Sequence, residues 1–324
     1  MLGPKTLMRI GDYLKLSHFS LDTRLWLVEL YLKYRTLRSW MKWIYNRDYY
    51  TRIESPYIVM QEKLLSNSKI DALIILDACR YDIFSDVVYD YLDGSLVAAL
   101  SPASTTPDWL KHMVSKFNWR SYVAVTASPM INKRGVYTGL DLSNKFMYIE
   151  EVWDWGWDEN ISTTPPEKVN LAVKITMTKL KLKKLRYPHD YKLLVWYAQP
   201  HAPYVLMVNI ISRIMKLEEL SNRIIDKNIR KLKKVVGKFS IDHILLGTLK
   251  DVLKDVEKVN RVLRKAYIEN LKWILRSVAD LITMINGNIV ITSDHGELLG
   301  EHGLYFHPNL PLPLLRLVPW FIVR

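Results

Sequence analysis

Cys79 is the single cysteine of this 324-residue chain, so an internal disulfide framework is excluded and the redox compartment stays open. No run of 18 apolar residues occurs, and no transmembrane helix is expected. The opening MLGPKTLMRIGDYLKLSHFS lacks the continuous apolar core of a signal peptide. The expected location is therefore the cytoplasm or the cytoplasmic face of a membrane. Internal repeats, low-complexity tracts and nucleic-acid-binding motifs are also missing, and no nucleic-acid partner is expected. Nothing in the sequence fixes the oligomeric state.

What is present suits a large α/β core. The chain is 49% hydrophobic, enough to bury one elaborated domain. Apolar runs of strand length at 72–76, 96–100, 121–126, 192–198, 288–292 and 317–323 alternate with helical stretches. This alternation predicts a mainly parallel central sheet with helices on both faces. The net charge of +13 is uneven. Residues 1–65 hold 11 Lys/Arg against 6 Asp/Glu, residues 171–186 hold 6 against none, and residues 205–265 hold 15 against 7. The division expected is a basic, aromatic-rich helical extension over 1–65 and a catalytic domain over 66–324, carrying a basic helical insertion at about 205–262. These basic helices, some rich in Trp and Tyr, suit an anionic membrane surface as well as ordinary solvated faces.

The chemistry concentrates in Asn288–His307, NIVITSDHGELLGEHGLYFH. A short buried strand delivers Asp294 and His295 to its carboxyl end, where ligands of α/β folds gather. A hard oxygen beside an imidazole nitrogen is a donor pair that Zn or Mn accepts. His302 and His307 follow in the same loop, and glycines at 296, 300 and 303 allow it to turn tightly. A second apolar run, DALIILDACR, stops at Asp77, with Arg80 and Asp82 just beyond. The stretch EVWDWGWDEN at 151–160 carries three alternating tryptophans, which either line a pocket or cover the sheet edge.

Four blocks, LIILDACRYD at 73–82, SPASTTPDWL at 101–110, YAQPHAPY at 197–204 and ITSDHGELLGEHGLYFHP at 291–308, occur in the order of the alkaline phosphatase/sulfatase superfamily. With the closing PLLRLVPWFIV at 313–323, the chain resembles the sulfatase-like branch over roughly residues 68–324. The resemblance implies one divalent metal ion rather than two, Mn or Zn before Ca or Mg, held by Asp77, Asp294, His295 and a hydroxyl nucleophile. The nucleophile implied is Thr105, two residues before Pro107, with Ser104 and Thr106 one position to either side. His201 is implied on the leaving group or the substrate anion. His307 stands where many relatives carry an anion-binding lysine, and would hold the anion or, with His201 and His302, a second metal. Arg80 completes the candidate catalytic residues.

True sulfatases convert a cysteine or serine in a C/S-x-P-x-R signature. Here the block reads TTPDW and the one cysteine lies beside Asp77. The resemblance therefore implies a phosphodiesterase or phosphotransferase acting on a phosphate ester, lipid- or glycan-linked in one version, by two-step displacement through the threonine. The alternatives are a sulfatase acting on sugar or lipid sulfates and a catalytically silent scaffold that binds a membrane or partner.

Overall fold

The structure, a computed structural model, describes residues 58–135, 138–182, 191–210, 212 and 241–324. The extension up to residue 57 and the greater part of the expected insertion lie outside the described residues, as do the side chains of 241–245, 252 and His302. The described residues belong to one compact unit, Tyr57–Arg324.

Six-residue runs such as ALIILD have no polar face to offer water, and they become strands buried on both sides. In chain order the elements are β1 (Val59–Met60), α1 (Gln61–Asn67), β2 (Ala72–Asp77), α2 (Tyr81–Val87), β3 (Gly94–Leu100), α3 (Thr106–Lys116), β4 (Tyr122–Thr126), β5 (Tyr148–Glu151), α4 (Val152–Trp155), α5 (Pro166–Leu182) and β6 (Lys192–Pro200). Then follow α6 (Ile241–Leu253), α7 (Val256–Ile282), β7 (Ile289–Thr292), the hairpin β8 (Leu298–Leu299) and β9 (Tyr305–Phe306), α8 (Pro313–Arg316) and β10 (Leu317–Val323). Residues 205–210 form a further helical turn.

Eight strands make one sheet in the order β1-β3-β10-β7-β2-β6-β4-β5. Every pairing is parallel except those of β10, which runs antiparallel to both β3 and β7. The class expected from the sequence is the one observed, and all six expected strands are present. β10 runs the other way because no crossover helix the length of a strand separates it from β7, only a hairpin and the single turn of α8.

Side-chain alternation along β2 divides the core. Leu73 and Ile75 pack with Trp109, Leu110 and Met113 of α3 on one face. Ala72, Ile74 and Leu76 pack on the other with Phe84 of α2, Val169 and Val173 of α5, and Leu271, Ile274 and Leu275 of α7. α7 is capped by Asp255, whose carboxylate accepts from the backbone N–H groups of Glu257 and Lys258. It runs unbroken through residue 262, where the sequence placed the end of the insertion.

Residues before 66 also join the sheet. β1 pairs with β3, and Gln61 of α1 is fully buried. Its side-chain amide donates to Thr292 Oγ1 (2.9 Å) and Ser293 O (2.7 Å) and accepts from Trp109 Nε1 (2.8 Å). The segment from about residue 58 is therefore integral to the sheet domain. Among the described residues, no helix is long and apolar enough to cross a membrane.

Candidate active site

β2 and β7 are parallel neighbours, so their carboxyl ends bring Asp77 and Asp294–His295 to one place. Asp77 Oδ1, Asp294 Oδ2 and His295 Nε2 converge, with His295 Nε2 3.3 Å from Asp294 Oδ2 and 3.8 Å from Asp77 Oδ1. The other oxygens are spoken for. Asp77 Oδ2 accepts from Trp196 Nε1 (3.1 Å), and Asp294 Oδ1 accepts from Ala78 N (3.2 Å). Asp77 Oδ1 is buried and has no hydrogen-bond partner.

The hydroxyl that joins this cluster belongs to Thr106. Its Oγ1 donates to Asp294 Oδ2 (2.6 Å) and lies 3.2 Å from His295 Nε2. Thr105, the position expected from the distance to Pro107, instead donates to Asp108 Oδ2 (3.0 Å) at the surface. The physical reason is the backbone. Thr105 is the extended N-cap of α3 (φ −144°, ψ 149°), and successive side chains of an extended segment leave on opposite sides. Ser104 also stands apart, 3.4 Å from Asn309 Oδ1.

A second cluster lies beside the first. His201, Glu297 and His307 bring ligand atoms within 4.8 Å of one another, as do Asp77, Asp294 and His295. The His307 ring is 4.7 Å from that of His201 and 4.6 Å from that of His295. Glu297 was not singled out in the sequence. It is fully buried, with Oε2 accepting from Tyr204 OH (2.8 Å) and Oε1 3.3 Å from His307 Nδ1. Nothing local in the sequence distinguishes a ligand there from a surface carboxylate.

Two of the histidines are set in one tautomer by the backbone. His295 Nδ1 pairs with Gly296 O (2.8 Å) and His201 Nδ1 with Ala202 O. In each, Nδ1 carries the proton and Nε2 presents a lone pair. Burial holds the imidazoles of His201 and His295 below their usual range. Burial raises Asp77 well above a normal carboxylate, and the neighbouring Asp294 charge adds to it. Asp294 is raised by the same burial, against the hydrogen bonds from Thr106 and the backbone. Glu297 goes the other way. Burial would raise it, but the His307 hydrogen bond and the charges of His201 and His307 hold it below normal.

The scaffold behind these groups is tightly tied. Gly296 is required for close approach, because a Cβ there would lie 2.0 Å from Leu314 O. Ala78 takes a left-handed φ of 58°, and Tyr267 OH secures that turn by donating to Ala78 O and accepting from Arg80 N, both at 2.8 Å. Arg80 itself does not reach the cavity. Its guanidinium is committed to Asp82 (2.9 and 2.7 Å), Glu301 (2.6 Å) and the carbonyl of Glu297 (3.2 Å). Cys79 is buried, its thiol pushed up by desolvation, and is inert.

Two buried carboxylates side by side, one with a bare oxygen, lack a compensating cation among the described side chains, which is the donor set a divalent ion completes. Asp77, Thr106, His201 and His307 open together onto one cavity.

No protein-family model matches this chain, and no curated protein matches it by sequence. Among solved structures it is similar to the C-terminal periplasmic domain of phosphoethanolamine transferase EptC from Campylobacter jejuni, at 14% identity over 79% of this chain and 78% of that one, TM-score 0.43. It is similar also to the soluble domain of lipooligosaccharide phosphoethanolamine transferase A from Neisseria meningitidis, at 12% identity over 83% and 78%, TM-score 0.42. A third is the phosphonate monoester hydrolase of Silicibacter pomeroyi, at 13% identity over 79% and 68%, TM-score 0.39.

Proposed function

We propose that this chain is a metal-dependent phosphodiesterase or phosphotransferase that works through Thr106. The observation that carries the reading is the Thr106 hydroxyl, which donates to Asp294 Oδ2 at 2.6 Å beside His295 Nε2 and the unpartnered oxygen of Asp77. Asp77, Asp294, His295 and Thr106 would hold one divalent ion. His201, Glu297 and His307 would hold a second, where the sequence led to an expectation of one. Bound there, such ions supply charge neutralisation on the phosphoryl oxygens and lower the pKa of a hydroxyl.

The protein's own groups supply the rest. Thr106 sits at the amino terminus of α3, where backbone N–H groups favour an anion. The Thr106 hydroxyl gives its proton to solvent as Oγ1 bonds to phosphorus and the ester bond to the leaving alcohol breaks, and the departing oxygen takes a proton from solvent. In the second half, water or an alcohol acceptor attacks phosphorus and gives its proton to solvent, while Oγ1 departs and takes a proton back. Asp294 Oδ2 and His201 Nε2 stay committed as ligand atoms throughout. Thr106 in place of a modifiable residue, with the only cysteine inert, favours phosphoryl over sulfuryl transfer.

The test uses metal-stripped protein resupplied with Mn, Zn, Mg or Ca, assayed on bis-(p-nitrophenyl) phosphate, p-nitrophenyl phosphate and p-nitrophenyl sulfate. Metal-dependent diester cleavage that is lost in Thr106→Ala and kept in Thr105→Ala is the expected result. Sulfate cleavage alone, or loss in Thr105→Ala only, would overturn the assignment.

A further inference from the structure

The cavity that receives Thr106 and the histidines extends toward the β4–β5 edge of the sheet, where its chemistry changes. Its volume is about 430 Å³. Beyond the reactive residues its walls are Ala127, Pro129, Met130, Trp153 and Trp157, and the lining residues include no Lys, no Arg and no carboxylate other than Asp77.

This far wall is constructed rather than incidental. Trp153 is buried, with the Arg134 guanidinium 5.0 Å from its ring centroid. Gly156 closes the turn that aims Trp157, since a Cβ there would lie 2.6 Å from Val152 O. The loop is then drawn shut where Asp158 N donates to Thr163 O (3.0 Å). Gln199, two residues before His201, donates to both Thr163 Oγ1 and Thr164 O at 3.0 Å. One strand end therefore registers the tryptophan loop against the reactive histidine. Trp155, between the other two, turns outward at 49% exposure.

We propose that Trp153, Trp157 and Met130 form a subsite for an uncharged, apolar alkyl or aryl substituent of the phosphoester, the one on phosphorus that is not expelled. The proposal rests on the phosphoester reading of the site and names its substrate class. Among the described residues lining this end there is no carboxylate for a cationic head group, and the Trp153 ring already has a guanidinium against it. A sugar needs several converging polar side chains, and of the two hydroxyl residues here, Ser128 and Thr163, the second already accepts from Gln199. An apolar group needs only the wall, and each methylene it buries is worth roughly fourfold in binding.

The experiment holds the leaving group constant. Methyl, butyl, phenyl and choline p-nitrophenyl phosphates are assayed with the metal-loaded full chain. The butyl and phenyl esters should exceed the methyl ester by about tenfold or more in kcat/KM, chiefly through KM, with the choline ester near the methyl ester. Trp157→Ala should collapse the butyl-to-methyl ratio to within about threefold, and Trp157→Phe should keep most of it. Equal rates along the series, a choline preference, or an unchanged ratio in Trp157→Ala would overturn the subsite while leaving the phosphodiesterase reading intact. If the wild-type protein cleaves no diester, that reading fails. Binding of butyl against methyl methylphosphonate, followed by tryptophan fluorescence, then decides the subsite separately: tighter butyl binding supports it and equal binding removes it.

Discussion

The two ligand clusters differ in how they are built, although they lie side by side. Asp77, Asp294 and His295 stand at the ends of two adjacent central strands and are all buried, with carboxyl groups raised by that burial. His201, Glu297 and His307 come from three loop or hairpin positions, two of them half-buried, and their carboxylate is lowered by its histidine neighbours. The first cluster is in deficit of positive charge without an ion. In the second, Tyr204 OH and His307 Nδ1 already lie against the oxygens of the single carboxylate. An ion is therefore part of the electrostatics of the first and an addition to the second.

The sharpest way to break the comparison is at the residue that belongs to only one cluster. Thr106→Ala removes the hydroxyl on Asp294 and should lower kcat by more than about 1,000-fold, as removing a nucleophile does. Thr105→Ala removes a surface contact to Asp108 and should leave kcat within about twofold and stability within roughly 0.5 kcal/mol. Steady-state kinetics and thermal melts of both variants check this.

A smaller effect separates the carboxylates. Asp77→Asn should raise the melting temperature of metal-free protein, because it removes one of two buried like charges, while it abolishes the stabilisation that added ion gives the wild type. Glu297→Gln should do the reverse in the metal-free state, since it removes a carboxylate oxygen that faces His307 Nδ1 or Tyr204 OH. It should also reduce bound metal from two ions to one, with activity down by about 10- to 100-fold. Melting curves with and without ion, together with elemental analysis, measure both.

Protons sharpen the same contrast. A carboxyl raised by folding favours the folded state at low pH, and that contribution is lost as pH rises from about 4 through the folded value. His201 and His295 are lowered, so their burial destabilises metal-free protein as pH falls below about 6.5. Glu297, lowered, stabilises above about 4.3 and loses that contribution as pH falls through its folded value. Ion binding at the first cluster should therefore expel protons from Asp77 and Asp294, to an extent that shrinks with rising pH. Calorimetry in buffers of different ionisation enthalpy reads the number released. Asp77→Asn should reduce it, and Glu297→Gln should leave it largely unchanged.

How far the site was legible follows from the range of each signal. Asp294 and His295 are contiguous at the end of an apolar run, so the strand and its cargo are read together. Asp77 is equally local. Which hydroxyl meets Asp294 depends on which side of an extended backbone faces inward, and a shift of one residue reverses that, so the sequence points to Thr105 where the structure places Thr106 against Asp294. Glu297 and Gln61 depend on partners 10 to more than 200 positions away, Gln61 bonding Thr292 and Ser293 at separations of 231 and 232 positions. No local pattern carries that information. Likewise Trp153, Trp155 and Trp157 alternate in sequence, but the cavity selects the first and third only after β5 and α4 are in place.

The least of the expected effects concerns the support shared by both clusters. Tyr267 on α7 gives its one hydroxyl to Ala78 O and receives Arg80 N, across the left-handed turn that follows Asp77. The backbone of that turn also contributes Ala78 N to Asp294 and Asp77 O to the N–H of His201 (3.0 Å). One phenol thus fixes a turn that touches the first cluster directly and the second through the loop of His201. Tyr267→Phe preserves the ring packing and strands two buried backbone groups, at a cost of about 1–3 kcal/mol in stability. A purely structural role would lower the melting temperature alone. A positioning role should also weaken ion binding and lower kcat by several-fold with KM little changed, and thermal melts, ion titration and kinetics on the one variant separate the two.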